Sequence, residues 1–238
     1  MSEATDWRTW ACMAPFVDGR PMPVAGGGEM RAHSTSTPNN LTALAHWFGV
    51  IRPQRTLETG LGCGASATLF AELHRRAGHD GVRHHAVDPL QRELWQDCAL
   101  RHLQAEGLSA GFVHHAKPSD QALPELVARG ERFGLIYLDG SHLFEDVFVD
   151  FHFAHQLLDP GGLLAFDDSA HPHVRKVLGF LRGNFADAYE EHSPYLVTRP
   201  DWPAWHRSLS RRLGYQQLTL FRKVREIKRS WMQTLRGF

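Results

Sequence analysis

Glu58-Thr59-Gly60-Leu61-Gly62-Cys63-Gly64 is the stretch that decides the fold. It follows an apolar run at Thr56-Leu57 and opens a helical pattern, so its three glycines permit a tight turn and let a ligand approach bare backbone. A glycine-rich turn alone is weak evidence, because dinucleotide-binding folds use a related loop and some such turns bind nothing. Asp88 strengthens it. That residue ends the next apolar run, His85-Ala86-Val87, 24 residues past Gly64, where a carboxylate can accept both hydroxyls of a ribose. The pairing fits an adenosine-bearing ligand of more than one kind. Within the loop, Ala65 stands where the G-x-G-x-x-G fingerprint would place its third glycine.

Outward from this turn, short apolar or β-branched runs alternate with longer helical patterns, the signature of βαβ units and a parallel sheet. Further strands are expected at Phe112-Val113-His114, Leu135-Ile136-Tyr137-Leu138-Asp139 and Leu163-Leu164-Ala165-Phe166-Asp167. Residues 65–77, 92–106 and 142–158 read as crossover helices, and Asp159-Pro160-Gly161-Gly162 turns the chain into the fifth strand. A helix around 174–181 and a strand pair at 189–191 and 215–221 close the pattern. Residues 1–34, with Gly26-Gly27-Gly28, read as a flexible arm or lid; 35–225 as one α/β domain, with a helix at 40–50 leading into the first strand; and 226–238 as a basic helix. Val224, Ile227, Trp231 and Leu235 would form the apolar stripe of that tail. His84-His85 and His114-His115 are expected at solvated strand ends.

With 238 residues and 42% hydrophobic content, the chain can bury one full core. Lys plus Arg and Asp plus Glu both number 26, which gives no net field toward nucleic acid or an anionic membrane. A small-molecule acceptor is the expected partner, with no nucleic acid and no membrane, in a homodimer or higher homo-oligomer. Three unevenly spaced cysteines argue against a disulfide framework and for a cytoplasmic setting.

The glycine turn, the strand-terminal Asp88, Asp139 after the fourth strand, Leu158-Asp159-Pro160-Gly161-Gly162 and the closing strand pair together resemble the class I S-adenosylmethionine-dependent methyltransferases over roughly residues 40–225. The resemblance implies a Rossmann-like seven-stranded sheet with its last strand antiparallel and helices on both faces. It places the methionine part of S-adenosylmethionine near Glu58, Gly60, Gly62 and Gly64, the ribose on Asp88 and the adenine near 117–119, Ser119 included.

Asp139 ends the fourth strand while Asp167 and Asp168 end the fifth, so adjacent strands would present three carboxylates beside the cofactor. Such hard oxygen ligands suit Mg²⁺ or another divalent cation; equally, aspartates at strand ends cap loops. Here the chain is similar to metal-dependent O-methyltransferases of the catechol and macrocin types, which implies Asp139, Asp167 and Asp168 as metal ligands. Asp139 would also border the cofactor. His142, where the macrocin type carries a histidine base, would take the acceptor's hydroxyl proton, and with Asp139 would form the catalytic pair. His171, His173, Trp202, Trp205 and His206 are candidate acceptor contacts, as are Arg207, Arg211 and Arg212. The competing readings are a metal-independent N-methyltransferase, a nucleic-acid methyltransferase, an NAD-dependent oxidoreductase and a non-catalytic cofactor-binding protein.

Overall fold

The computed structural model describes residues 6–213, 215–227 and 229–237. In chain order its strands are β1 (Pro21–Pro23), β2 (Glu29–Arg31), β3 (Thr56–Thr59), β4 (His84–Val87), β5 (Phe112–His115), β6 (Phe133–Leu138), β7 (Leu158–Phe166), β8 (Tyr189–His192) and β9 (Thr219–Lys223). Its helices are α1 (Ala14–Val17), α2 (Pro38–Ile51), α3 (Ala65–Arg76), α4 (Gln91–Leu94), α5 (Cys98–Ala105), α6 (Ser119–Ala128), α7 (Phe144–Leu157), α8 (Pro172–Asn184), α9 (Tyr195–Thr198) and α10 (Ala204–Arg212).

Seven strands form one sheet in the order β5-β4-β3-β6-β7-β9-β8, and β9 alone runs antiparallel to its neighbours. The Rossmann-like α/β sheet and its antiparallel last strand are as expected. The order reverses between β3 and β4 on one side and β6 and β7 on the other, and at such a switch point the C-terminal strand ends border a crevice. Thr59 pairs with Leu138, and Leu138 with Phe166. The glycine turn, Asp139 and Asp167 therefore leave the sheet side by side.

Two apolar layers sandwich the sheet. Leu44, Phe70, Leu135, Tyr137 and Leu220 belong to one, and Leu57, Phe133, Ile136, Phe151, Phe166 and Phe221 to the other. Because side chains alternate along a strand, neighbours in β3 and β6 divide between the layers. The central strand β4 is covered on both faces, which overturns the solvated reading of its histidines: His84 and His85 are buried.

The expected helix at 92–106 is two helices, broken where Gln96 and Asp97 take left-handed φ of 49° and 56°. Helix α6 carries Pro124 within it, and the sequence reading does not contain this helix. Residues expected as a loose arm fold into 3₁₀ turns, α1 and the β1–β2 hairpin, and Trp7, Met13 and Met22 are buried. The tail is a second correction: among the described residues past 225 there is no helix. Its backbone is held instead by Asn184, whose Oδ1 accepts from Arg236 N at 3.0 Å, and Trp231 of the supposed stripe is 93% exposed. A segment this short does not sustain a helix on propensity alone. No helix among the described residues is long and apolar enough to cross a membrane.

Lys223 shows how the antiparallel end is fastened. It is fully buried on β9, and its Nζ donates to the carbonyls of His155 and Leu158, each at 2.9 Å, and to Glu226 at 2.8 Å. Lys223→Met keeps the apolar stem but takes a donor from the His155 and Leu158 carbonyls, of which Leu158 retains Arg132 Nη2 at 3.1 Å. Urea denaturation is expected to show a loss of about 2–4 kcal/mol; a loss below roughly 0.5 kcal/mol would mean that the ammonium is dispensable.

Candidate active site

A cavity of about 1030 Å³ lies over the C-terminal ends of β3, β4, β6 and β7. Gly60, Gly62, Gly64, Asp88, Ser119, Asp139, His142, Asp167 and Asp168 all line it. Of the residues expected there, Glu58 and Lys117 do not. Lys117 is exposed and paired with Glu125 at 2.6 Å.

The glycine turn is built by close approach. Gly60 has φ +82°, and a Cβ there would lie 2.0 Å from the carbonyl oxygen of Asp139. Gly64 at φ +85° packs on Ala99 and opens α3. Asp88 pins the loop from beneath: its Oδ2 accepts from the N–H groups of Leu61 (3.0 Å) and Gly62 (3.2 Å) and from Gln91, and its Oδ1 from Leu90 N at 2.7 Å. A carboxylate offers about four lone-pair sites. The four donors match those sites in number, three on Oδ2 and one on Oδ1, so Oδ1 is the atom with room for a ribose hydroxyl.

Glu58 faces the other way. Strand alternation sends its side chain under the loop with Thr56, into the layer containing α3, where it is fully buried and 3.4 Å from His84 Nε2. Burial pushes its carboxyl up to about 8 and the His84 imidazole down to about 3, so the two meet as neutral groups. This predicts a pH signature. A carboxyl titrating near 4.5 when unfolded and near 8 when folded leaves stability untouched below pH 4.5 and erodes it as pH rises toward 8. Urea midpoints of Glu58→Gln minus wild type should therefore grow between pH 5 and pH 8.5; a flat or shrinking difference would contradict the buried neutral acid.

The acidic cluster departs from the expected ligand set. Asp139, His142 and Asp168 place one ligand atom each within 4.8 Å of one another, with His142 Nε2 2.7 Å from Asp168 Oδ2. Asp167 turns inward instead. Its Oδ1 accepts from Asn40 Nδ2 and from the N–H of Asp168, both at 2.7 Å, and its Oδ2 accepts from the Tyr137 hydroxyl. Asp168 reaches its position through a left-handed φ of 45°, strain of the kind that collects at functional sites. Burial and the neighbouring Asp167 carboxylate drive the Asp139 carboxyl well above the usual range, the electrostatic demand a cation would relieve. The carboxylates of Asp139 and Asp168 are hard oxygen donors of the kind that suits Mg²⁺ or Mn²⁺, and the His142 imidazole stands beside them.

Sequence reasoning misses several lining residues. Ser36 donates from Oγ to Asp139 Oδ2 at 3.1 Å and meets the Tyr137 hydroxyl at 3.0 Å. The signal was present in Thr37-Pro38: Thr37 caps α2 by accepting from Asn40 N, with Pro38 in the first turn, and this cap aims Ser36 and Asn40 at the strand ends. Thr59 and Asp150 also line the cavity, and Thr59 Oγ1 and Asp150 Oδ1 lack a protein hydrogen-bond partner. Buried polar atoms of that kind suit a polar ligand. His173 acts structurally, accepting the first N–H of α7 at 3.0 Å. Trp202, Trp205 and His206 stack on one another, Trp202 on His206 at 4.3 Å and 10°, and none lines the cavity.

Residues 57–169 match the family model described as a methyltransferase domain. The matched segment contains the glycine turn, Asp88 and every acidic residue just described, while Ser36, Thr37 and Gln217, which also line the cavity, lie outside it. No curated protein sequence matches the chain. Solved structures share its Rossmann-like fold. An O-methyltransferase from Bacillus cereus in complex with S-adenosylhomocysteine is 14% identical, with 80% of this chain and 83% of that chain covered and a TM-score of 0.51. A cofactor-bound protein from MTB is 17% identical over 91% of this chain and 89% of its own, with a TM-score of 0.52. The apo TDP-rhamnose 3'-O-methyltransferase of calicheamicin biosynthesis is 17% identical over 76% and 77%, with a TM-score of 0.55.

Proposed function

We propose that this chain is an S-adenosylmethionine-dependent O-methyltransferase acting on a hydroxyl of a small natural-product, sugar or phenolic acceptor, assisted by a divalent cation. The observation that carries the reading is that the glycine turn and the Asp139–His142–Asp168 group line one cavity, at adjoining strand ends. Its volume of about 1030 Å³ leaves room for an acceptor beside a nucleoside-sized cofactor.

When bound, S-adenosylmethionine supplies the activated methyl group, and a divalent cation supplies positive charge that acidifies the acceptor hydroxyl. Gly60, Gly62 and Gly64 admit the cofactor against bare backbone, while Asp88 holds that turn and presents Oδ1 toward the ribose. Asp139 and Asp168 hold the cation. With Nε2–H donated to Asp168, His142 keeps its Nδ1 lone pair for the acceptor's hydroxyl proton. The bound cofactor would supply its methyl group to that hydroxyl oxygen and leave as the neutral thioether, while His142 would hold the proton. Ser36 restrains Asp139 throughout, through the 3.1 Å hydrogen bond.

Calorimetric titration with S-adenosylmethionine and with NAD, followed by methyl transfer to a panel of phenols and sugars with and without EDTA, tests the proposal. Binding of S-adenosylmethionine alone and transfer restored by Mg²⁺ are expected. NAD binding in its place would overturn the reading, and full activity in EDTA would remove the cation from it.

A further inference from the structure

A second hollow, of about 370 Å³, lies outside the site just described, roughly the volume of a dozen waters. Its lining mixes charged and polar groups with apolar surface: Arg175 and Arg182 of α8, Arg212 of α10, Ser169, Gln216 and Thr219, with Glu191 and Leu178 beside them. Arg182 is occupied, since it makes a two-pronged pair with Glu191 at 2.7 and 2.9 Å. Arg175 and Arg212 are exposed and have no ion-pair partner among the described residues. Two uncompensated guanidinium groups over a floor of hydroxyl and amide groups are the chemistry that receives a multiply charged oxyanion.

Its place relative to the cavity matters. Asp168 and Gln217 line the larger cavity, whereas their chain neighbours Ser169 and Gln216 line the cleft. Ser169 N donates to Gln217 O at 2.8 Å, and Gln216 Nε2 to Thr219 Oγ1 at 3.0 Å, so these two short segments form a common wall. The local field has the same sign: residues 193–218 hold Arg199, Arg207, Arg211 and Arg212 against Asp201 alone, in a chain whose net charge is zero.

We propose that this cleft is an oxyanion site for a phosphate or diphosphate group, held by Arg175 and Arg212 one wall away from Asp168. The group is either carried on a larger molecule that also reaches the main cavity or bound as a free anion. Arg182 stays paired with Glu191; the Ser169 hydroxyl is spent on the Phe166 carbonyl at 3.0 Å, whereas Thr219, whose Oγ1 accepts from Gln216, keeps its hydroxyl proton for a phosphate oxygen.

Calorimetry with inorganic pyrophosphate and, separately, with UDP-glucose tests this. EDTA is present, so that no divalent cation takes part, and S-adenosylmethionine is absent. Wild type is expected to bind pyrophosphate saturably, with an affinity that falls as NaCl is raised. Arg175→Gln/Arg212→Gln is expected to bind it about tenfold more weakly or worse. UDP-glucose competing with pyrophosphate assigns the site to a group carried on a larger molecule; pyrophosphate binding alone assigns it to a free anion. Both replaced side chains are exposed, and an unchanged melting temperature certifies the fold of the variant. No saturable binding of either probe, or equal binding by the double variant, overturns the proposal. Because the titration uses neither methyl donor nor metal, its outcome is independent of the methyl-transfer reading.

Discussion

His142→Ala is expected to lower methyl transfer by about 10²- to 10⁴-fold, the range a positioned proton acceptor contributes, while leaving the affinity for S-adenosylmethionine unchanged. The split follows from geometry. His142 stands at the acidic end of the cavity, bonded to Asp168 at 2.7 Å, whereas the loop that would hold the cofactor is pinned by Asp88, a separate set of hydrogen bonds. Losing the imidazole removes an acceptor for the hydroxyl proton without touching that loop. Asp168→Ala should show a compound loss, because Asp168 is bonded to the imidazole and its carboxylate belongs to the proposed cation site. Raising Mg²⁺ should recover part of the Asp168→Ala defect and none of the His142→Ala defect. A His142→Ala enzyme with wild-type kcat would refute the base assignment, and one with normal kcat and poor cofactor binding would move His142 to the cofactor side.

Gly60→Ala should be the most damaging single-methyl change in the chain. At φ +82° an alanine is already strained by about 1–2 kcal/mol. Its Cβ would also lie 2.0 Å from Asp139 O, 2.6 Å from Asp139 C and 2.9 Å from Gly140 Cα, all backbone atoms that no rotamer change can move aside. Those atoms are held by the sheet, since Asp139 N donates to Thr59 O at 2.9 Å and β3 pairs with β6 up to Thr59 and Leu138. Relief therefore means parting two central strands at the cavity floor. Stability is expected to fall by more than about 3 kcal/mol, with S-adenosylmethionine binding lost at temperatures where the variant remains folded. Gly161→Ala is the internal control. It has the same φ of +82° but nothing within 4 Å of its added Cβ, so only the conformational cost of about 1–2 kcal/mol applies. Equal losses at the two positions would show that the close approach of the turn to Asp139 carries no weight.

The elements were legible where local chemistry repeats. Alternating apolar runs and helical patterns gave five parallel strands, four within a residue or two and the fifth begun five residues too late, since β7 starts at Leu158, and the glycine turn with Asp88 marked the crevice. Legibility failed where a local pattern depends on distant cover. Residues 92–106 carry one helical period, yet Gln96 and Asp97 adopt left-handed backbone and split it. The stripe through 224–235 has helical spacing, but only Ile227 of it packs on the core, while Val224, Trp231 and Leu235 are exposed. His84 and His85 look like solvated strand-end residues, but β4 lies inside the sheet with both faces covered.

By itself, the sequence determined the βα alternation, the tight glycine turn and the strand-terminal placement of Asp88, Asp139, Asp167 and Asp168, because periodicity, φ preference and strand length act over a few residues. Only the tertiary structure decided which of those carboxylates face the cavity. Glu58 is drawn under the loop by the alternation of a doubly covered strand. Asp167 is captured by Asn40 and Tyr137, 127 and 30 residues away, and Asp168 is swung toward His142 by one left-handed residue. A side chain's role is fixed by the partner that satisfies its charge, and such partners come from segments whose meeting no local pattern encodes.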